Sequence, residues 1–159
     1  MLSIREALYG DLSKLGKLFD EYRQFYNLPT DVVRATEYME ARLAAHDSVL
    51  LIADDGSAQA LGFTQLYPTW CSLLAGPVYV LYDLYVPRQA RRRGVGRALL
   101  LAAADRARQD GKLRMTLSTA RTNIPAQALY EDLGWERDSE FYVYNLSLSP
   151  SVGVERSDT

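Results

Sequence analysis

Apolar positions along the chain switch between a period of two and a period near 3.6, and the switches mark out the elements. LSIREA (2–7) alternates and predicts a first strand. Gly10-Asp11 offers a turn and a helix start, and Leu12, Leu15, Leu18, Phe19 and Tyr22 follow at helical spacing until Pro29 ends the unit. Asp31 is placed to cap a second helix reaching about Ala45, with Val32, Ala35, Met39 and Leu43 on one face. SVLLIAD and QALGFTQLY, separated by a turn at DDGSA, predict a hairpin. PVYVLYDLYV (77–86) is almost continuously apolar and aromatic, as expected of a central strand covered on both faces, and Pro87 closes it. A long helix from about Gly94 to Gln109 stops at Asp110-Gly111. LRMTLST predicts a strand, NIPAQALYEDLGW a helix stopped at Gly134, and EFYVYNLSL a last strand, with a short extra one at Trp135. The alternation predicts an α/β (mixed α+β) domain over 1–148, with helices on both faces of a mixed sheet, and a polar, disordered tail over 149–159.

Composition narrows the function classes. Hydrophobic residues make up 48% and charged residues 24%, an ordinary globular balance, and the net charge of −2 excludes a global polycation for nucleic acid. One cysteine, Cys71, forbids an internal disulfide, and with one histidine, His46, there is no metal-ligand cluster. No apolar run approaches the roughly 20 residues that span a bilayer. MLSIREALYG lacks the pattern of an export signal. The expectation is a cytoplasmic protein with no metal, no nucleic-acid partner and no membrane partner.

The chemistry concentrates after the central strand, where RRRGVGRALL runs three arginines into Gly94-Val95-Gly96 and then an apolar helix. The first turn of a helix leaves backbone N–H groups unpaired and carries partial positive charge, glycines allow close approach, and arginines add full charges. The element suits a pyrophosphate. Leu99 stands where a dinucleotide-binding fingerprint needs its third glycine, and no Gly-Lys-Ser/Thr is present for a nucleotide P-loop. A solvated arginine loop is the plainer alternative. Downstream, Ala126, Leu129, Tyr130 and Leu133 share one helical face. By itself that spacing makes Tyr130 a core residue as readily as a catalyst, and Asn123 a cap residue.

Together these blocks resemble the GCN5-related N-acetyltransferase (GNAT) family. Arg91-x-x-Gly94-x-Gly96 matches its acyl-CoA pyrophosphate loop, Gln/Arg-x-x-Gly-x-Gly/Ala. Asn123-x-x-Ala126-x-x-Leu129-Tyr130-x-x-x-Gly134-Trp135 matches its second signature. The resemblance extends loosely from residue 2 to about 147 and sharply from 83 to 135. It implies a central mixed sheet of six or seven strands, splayed at its centre, and a direct attack of an amine on acetyl-CoA in a ternary complex. It implies pantetheine contacts at Leu84, Tyr85 and Val86, and pyrophosphate contacts at Arg92, Arg93, Gly94, Val95, Gly96 and Arg97. Arg91 would support the loop or meet the ribose phosphate, and Asn123 would bond the pantetheine–pyrophosphate arm. Tyr130 would protonate the departing thiolate, and a strand N–H near Val86 would polarise the carbonyl.

The incoming amine must lose a proton first. Asp83 is the only charge inside YVLYDLYV, so desolvation should raise its pKa toward proton relay. Base, binder of the substrate cation and structural carboxylate all remain readings of it. Strand alternation places Asp83 with Leu81 and Tyr85. Some relatives carry a glutamate five residues before the motif asparagine; Ser118 stands there. The resemblance implies an acceptor site built from FDEYRQFYN, QLYPTWCS and EFYVYNL, with Glu21, Tyr26, Tyr67 and Tyr142 as substrate contacts and Asp20 as a further acid. Aromatic walls with a few carboxylates suit a small organic cation. LYDLYVPRQARRRGVG is also similar to the diamine- and polyamine-acetylating branch, while peptide amines stay open. A homodimer is common in such proteins. The competing class is a catalytically silent acyl-CoA-binding sensor.

Overall fold

The computed structural model describes residues 1–149; the expected disordered tail, from 150 on, lies outside the described residues. The chain divides into two compact units, Met1–Ser118 and the residues from Thr119 onward. The first holds β1 (Ser3–Glu6), α1 (Leu12–Phe25), α2 (Val32–Ala45), β2 (Val49–Asp54), β3 (Gly62–Cys71), β4 (Gly76–Tyr85), α3 (Val95–Gln109) and β5 (Met115–Thr116). The second holds α4 (Ile124–Asp132). Among the described residues the sheet has five strands in the order β1-β2-β3-β4-β5, antiparallel except for the last pair, which is parallel. No helix of the described residues is long and apolar enough to cross a membrane.

Two helical layers cover the first unit's sheet. β2 is buried along its whole length. Its Leu50 and Ile52, with Phe63 of β3, pack against Leu15 and Leu18 of α1 and Met39 of α2. The alternate residues face α3: a Cβ on Gly62 would lie 3.2 Å from the Leu99 side chain. Alternation along strands and the i, i+3, i+4 spacing of the helices therefore meet in one double-sided core. Gly16 lets α1 and α2 approach, since a Cβ there would lie 2.1 Å from Thr36 Oγ1. Asp31 caps α2 by accepting from the Arg34 N–H at 3.0 Å, as its sequence position predicts.

Several sequence expectations are corrected. Asp11 stands at the α1 N-cap without capping it. Its carboxylate instead receives a two-pronged bond from Arg5 (2.7 and 2.8 Å) and one from the Leu8 N–H (2.8 Å). A charge-assisted fork outcompetes a single backbone donor. Asp20, offered as an acid for the acceptor, is buried and occupied. It accepts from Thr30 Oγ1 (2.7 Å), Gln24 Nε2 (2.9 Å) and the Asp31 N–H (2.7 Å), tying α1 to the start of α2.

The strand over LRMTLST shrinks to two residues. EFYVYNLSL and Trp135 form none, so the sheet has five strands rather than six or seven among the described residues. Phe141 is 74% and Tyr144 90% exposed. Alternation specifies which residues share a face, but a strand exists only where an edge pairs with it.

The Arg5–Asp11 fork gives a pH prediction. It holds the Asp11 carboxyl down at about 2, below its unfolded value near 4. Its stabilisation is therefore fully present above about pH 4 and lost as pH falls through about 2. With Arg5 partly exposed and screened, Asp11→Asn should cost about 1–2 kcal/mol at pH 7. Urea unfolding at a series of pH values should show a flatter decline for the variant between pH 4 and 2.

Candidate active site

The register of β3 against β4 decides where the one charge of the central strand points. Gln65 pairs with Asp83, but the next residue, Leu66, pairs with Leu81, so Tyr82 is an extra residue in β4. This bulge reverses the alternation. Leu81 shares a face with Leu66 on the α3 side. Asp83 shares the other face with Gln65, and with Phe63 and Tyr85 one pair further on. The expected grouping of Asp83 with Leu81 is thus overturned, and that with Tyr85 stands.

Tyrosines from four elements gather around the face carrying Asp83. Tyr22 of α1 lies 6.1 Å, ring to ring, from both Phe63 and Tyr85, and 5.1 Å from Tyr26. Tyr67 of β3 lies 5.5 Å from Tyr82, and its hydroxyl bonds that of Tyr38 from α2. Tyr85 donates to Glu21 at 3.4 Å. Asp83 is only 5% exposed and accepts from Gln65 Nε2 at 2.8 Å. Burial raises its carboxyl pKa above the usual range, and the Gln65 and Tyr22 hydrogen bonds hold it back in part. The same desolvation, with the Asp83 charge adding to it, raises the hydroxyls of Tyr22, Tyr26 and Tyr67. Among the described residues no lysine or arginine forms an ion pair with Asp83. A buried carboxylate set among hydroxyls and ring faces, with no cationic partner of its own among the described residues, is an arrangement that suits a cation from solution.

Beside Asp83, β4 loses its parallel partner. Pairing with β5 is confined to Tyr79–Met115 and Val80–Thr116, so Leu84 and Tyr85 lie beyond it. Val86 follows, its carbonyl accepting from Arg91 Nε at 2.9 Å, while the Arg91 guanidinium stands over the Phe25 ring. Arg91 therefore braces the turn out of β4. Arg92 has φ +61° and Gly94 φ +76°, so the loop folds through the left-handed region just before α3 begins at Val95. Its N–H groups and the positive end of a fifteen-residue helix gather at one exposed corner. Gly96 lies in the first turn, Arg92 and Arg97 are exposed, and Arg93 reaches Asp55 at 3.7 Å. This donor set and the unpaired strand fit a pyrophosphate and its amide-bearing arm.

Gly94 has open space around its missing Cβ, so a substitution there is opposed by the backbone alone. An L-residue in the left-handed region costs about 1–2 kcal/mol. Gly94→Val should weaken binding of a pyrophosphate-bearing ligand such as coenzyme A about five- to thirtyfold as the loop relaxes, read by isothermal titration calorimetry.

In the second unit, Asn123 sits at the N-cap of α4 without capping it, and its Nδ2 donates to Thr119 Oγ1 at 3.3 Å. The plain cap reading of Asn123 is thereby excluded. Gln127 instead holds the preceding turn through the carbonyls of Ala120 and Arg121. Tyr130 is half-buried, its ring 6.2 Å from Trp135, and Gly134 at φ +85° ends the segment. Tyr142 is exposed and lies in no regular element.

Sequence reasoning included Tyr22 and Gln65 in the acceptor segments without singling them out, and missed Ser48 and Tyr38 as parts of the Asp83 surroundings. Gln65 was the readable signal: a polar residue in the apolar alternation of a buried strand needs a partner.

The sequence profile of the Acetyltransferase (GNAT) family matches residues 15–135. An uncharacterized N-acetyltransferase of Bacillus subtilis, YhfO, is 42% identical over 147 residues, covering 92% of this chain and 98% of its own. Thialysine N-epsilon-acetyltransferase of Caenorhabditis elegans is 27% identical over 125 residues, 77% of this chain and 75% of its own. A crystal structure of a probable acetyltransferase superposes with TM-score 0.85 at 38% identity, covering 92% of this chain and 98% of that one. The family profile spans most of the chain, and YhfO and the superposed structure span nearly all of it; the chain belongs to the GNAT family of acetyltransferases.

Proposed function

We propose that the enzyme moves the acetyl group of acetyl-CoA to a small primary amine that is cationic in water, by direct attack in a ternary complex. The observation that carries the acceptor class is Asp83: a buried carboxylate walled by tyrosines, with no ion-pair partner among the described residues. The thialysine-acetylating relative supports the class, since its named substrate presents a primary amine.

In this reading acetyl-CoA supplies the acetyl group as an activated thioester. Leu84, Tyr85 and Val86 hold the pantetheine arm along the unpaired side of β4. The 91–97 loop holds the pyrophosphate, and Asn123 the junction between arm and pyrophosphate. Asp83 binds the ammonium and takes its proton, which it later returns to solvent; the neutral nitrogen then bonds the carbonyl carbon as the carbon–sulfur bond breaks, and sheds its second proton to solvent to leave the amide. The sulfur takes a proton from Tyr130, which solvent restores. Glu21, Tyr26 and Tyr67 form the acceptor's walls, with Tyr142 a further contact.

Free-thiol release from acetyl-CoA across polyamines, diamines, amino acids, aminoglycosides and peptide N-termini tests this. Small cationic amines should stand well above the rest. Peptide amines at the top would overturn the acceptor class. Tight acetyl-CoA binding with background release from every amine would point instead to a silent sensor.

A further inference from the structure

Asp83 is asked to do two things in a site without a cation: stay charged to hold an ammonium, and become neutral on taking its proton. The structure shows what surrounds that change. Gln65 is completely buried and faces Asp83 across the bulge. Its Nε2 donates to Asp83 Oδ2 at 2.8 Å, and its Oε1 accepts from Ser48 Oγ at 2.9 Å. Ser48 stands just before β2, on the far side of Gln65 from Asp83.

An amide and a hydroxyl each have a donor and an acceptor to offer. With Asp83 charged, the amide turns its NH2 to the carboxylate and its oxygen to Ser48, as seen. With Asp83 protonated, the acid O–H needs an acceptor; a half-turn of the amide supplies its oxygen, and Ser48 then accepts from the NH2. Either state leaves both ends of the Gln65 amide bonded, which matters because an orphaned buried polar group is costly. An arginine or lysine at 65 would pin Asp83 charged, and an apolar residue would favour the neutral form.

We infer that Gln65, backed by Ser48, is the positioning residue that lets Asp83 exchange a proton without a resident cation. This rests on the reading of Asp83 given above. The other groups facing Asp83 leave room for that role. Tyr22 and Tyr26 approach from α1 and Tyr67 from β3, all neutral and pushed further from ionising by burial. Tyr38 and Arg42 of α2 act on it only through Tyr67, and Glu21 is held by Tyr85.

The test follows the Asp83 carboxyl directly, by 13C NMR of aspartate-labelled full-length protein titrated with acid, in wild type, Gln65→Met and Ser48→Ala. Gln65→Met should raise the Asp83 midpoint by about one pH unit, and Ser48→Ala by less in the same direction. The acid limb of kcat/KM for the best amine should move with it, while the acetyl-CoA dissociation constant stays within about twofold. A midpoint unmoved in both folded variants, or an activity loss equal at every pH, would overturn the inference. Asp83→Asn separates the two failures. If that variant keeps the acid limb and the amine KM, the reading of Asp83 falls. If it loses them while the Gln65 and Ser48 variants leave the limb in place, only the amide's role falls.

Discussion

Replacing Tyr130 with phenylalanine should lower kcat by about 10²-fold or more, the usual contribution of a positioned proton donor. The dissociation constant of acetyl-CoA should change by less than about threefold, since in the proposed mechanism the hydroxyl acts on sulfur only as the thiolate leaves. Phenylalanine keeps the ring, which packs beside Trp135, and keeps the helical face that carries Leu129 and Leu133. Folding should therefore be untouched, and near-identical thermal unfolding of the two proteins would document that. Steady-state kinetics with saturating amine, paired with calorimetric titration of acetyl-CoA, separates the terms. Equal losses in turnover and affinity would sink the assignment of Tyr130 as proton donor.

Asp83→Asn should reduce kcat/KM for the amine by about 10²–10³-fold, because on the reading proposed above it removes both the ammonium's counter-charge and the acceptor of its proton. Asparagine has nearly the same shape, so the Gln65 bond and the tyrosine packing keep their partners. The pH profile carries the sharper signal. Burial raises the Asp83 carboxyl pKa, so in wild type the charged form is lost as pH falls through that raised value, and kcat/KM falls with it. The variant should show no such limb. Rate measurements from pH 5 to 9 would decide it; a limb that survives the substitution belongs to another group.

What could be read in the sequence was local. The 3.6-residue spacing of α2 and α3, the Asp31 cap and the glycine stops at Gly111 and Gly134 each depend on neighbours within a turn or two. The Arg91-x-x-Gly94-x-Gly96 loop was legible for the same reason: a left-handed residue and a helix start fit in six positions. Asp83 could be picked out as the one charge in an apolar strand, but not aimed. Its direction depends on a bulge, and a bulge is a property of two strands in register. Ser48 and Gln65 are 17 residues apart, and nothing along the chain announces that they meet. The segment 140–148 failed for the complementary reason, since its alternation names a face without naming an edge to pair with.

The bulge at Tyr82 makes the register of β4 matter more than its letters. Exchanging one apolar residue for another along the strand leaves the carboxylate where it is. An unbroken ladder running on from the Leu66–Leu81 pair would instead set Tyr82 opposite Gln65 and Asp83 opposite Thr64, and so turn the carboxylate to the side of α3. The one looped-out residue is what lets the Leu66–Leu81 and Gln65–Asp83 pairs stand side by side. The reading frame of the sheet, as much as any side chain, is what inheritance has to preserve.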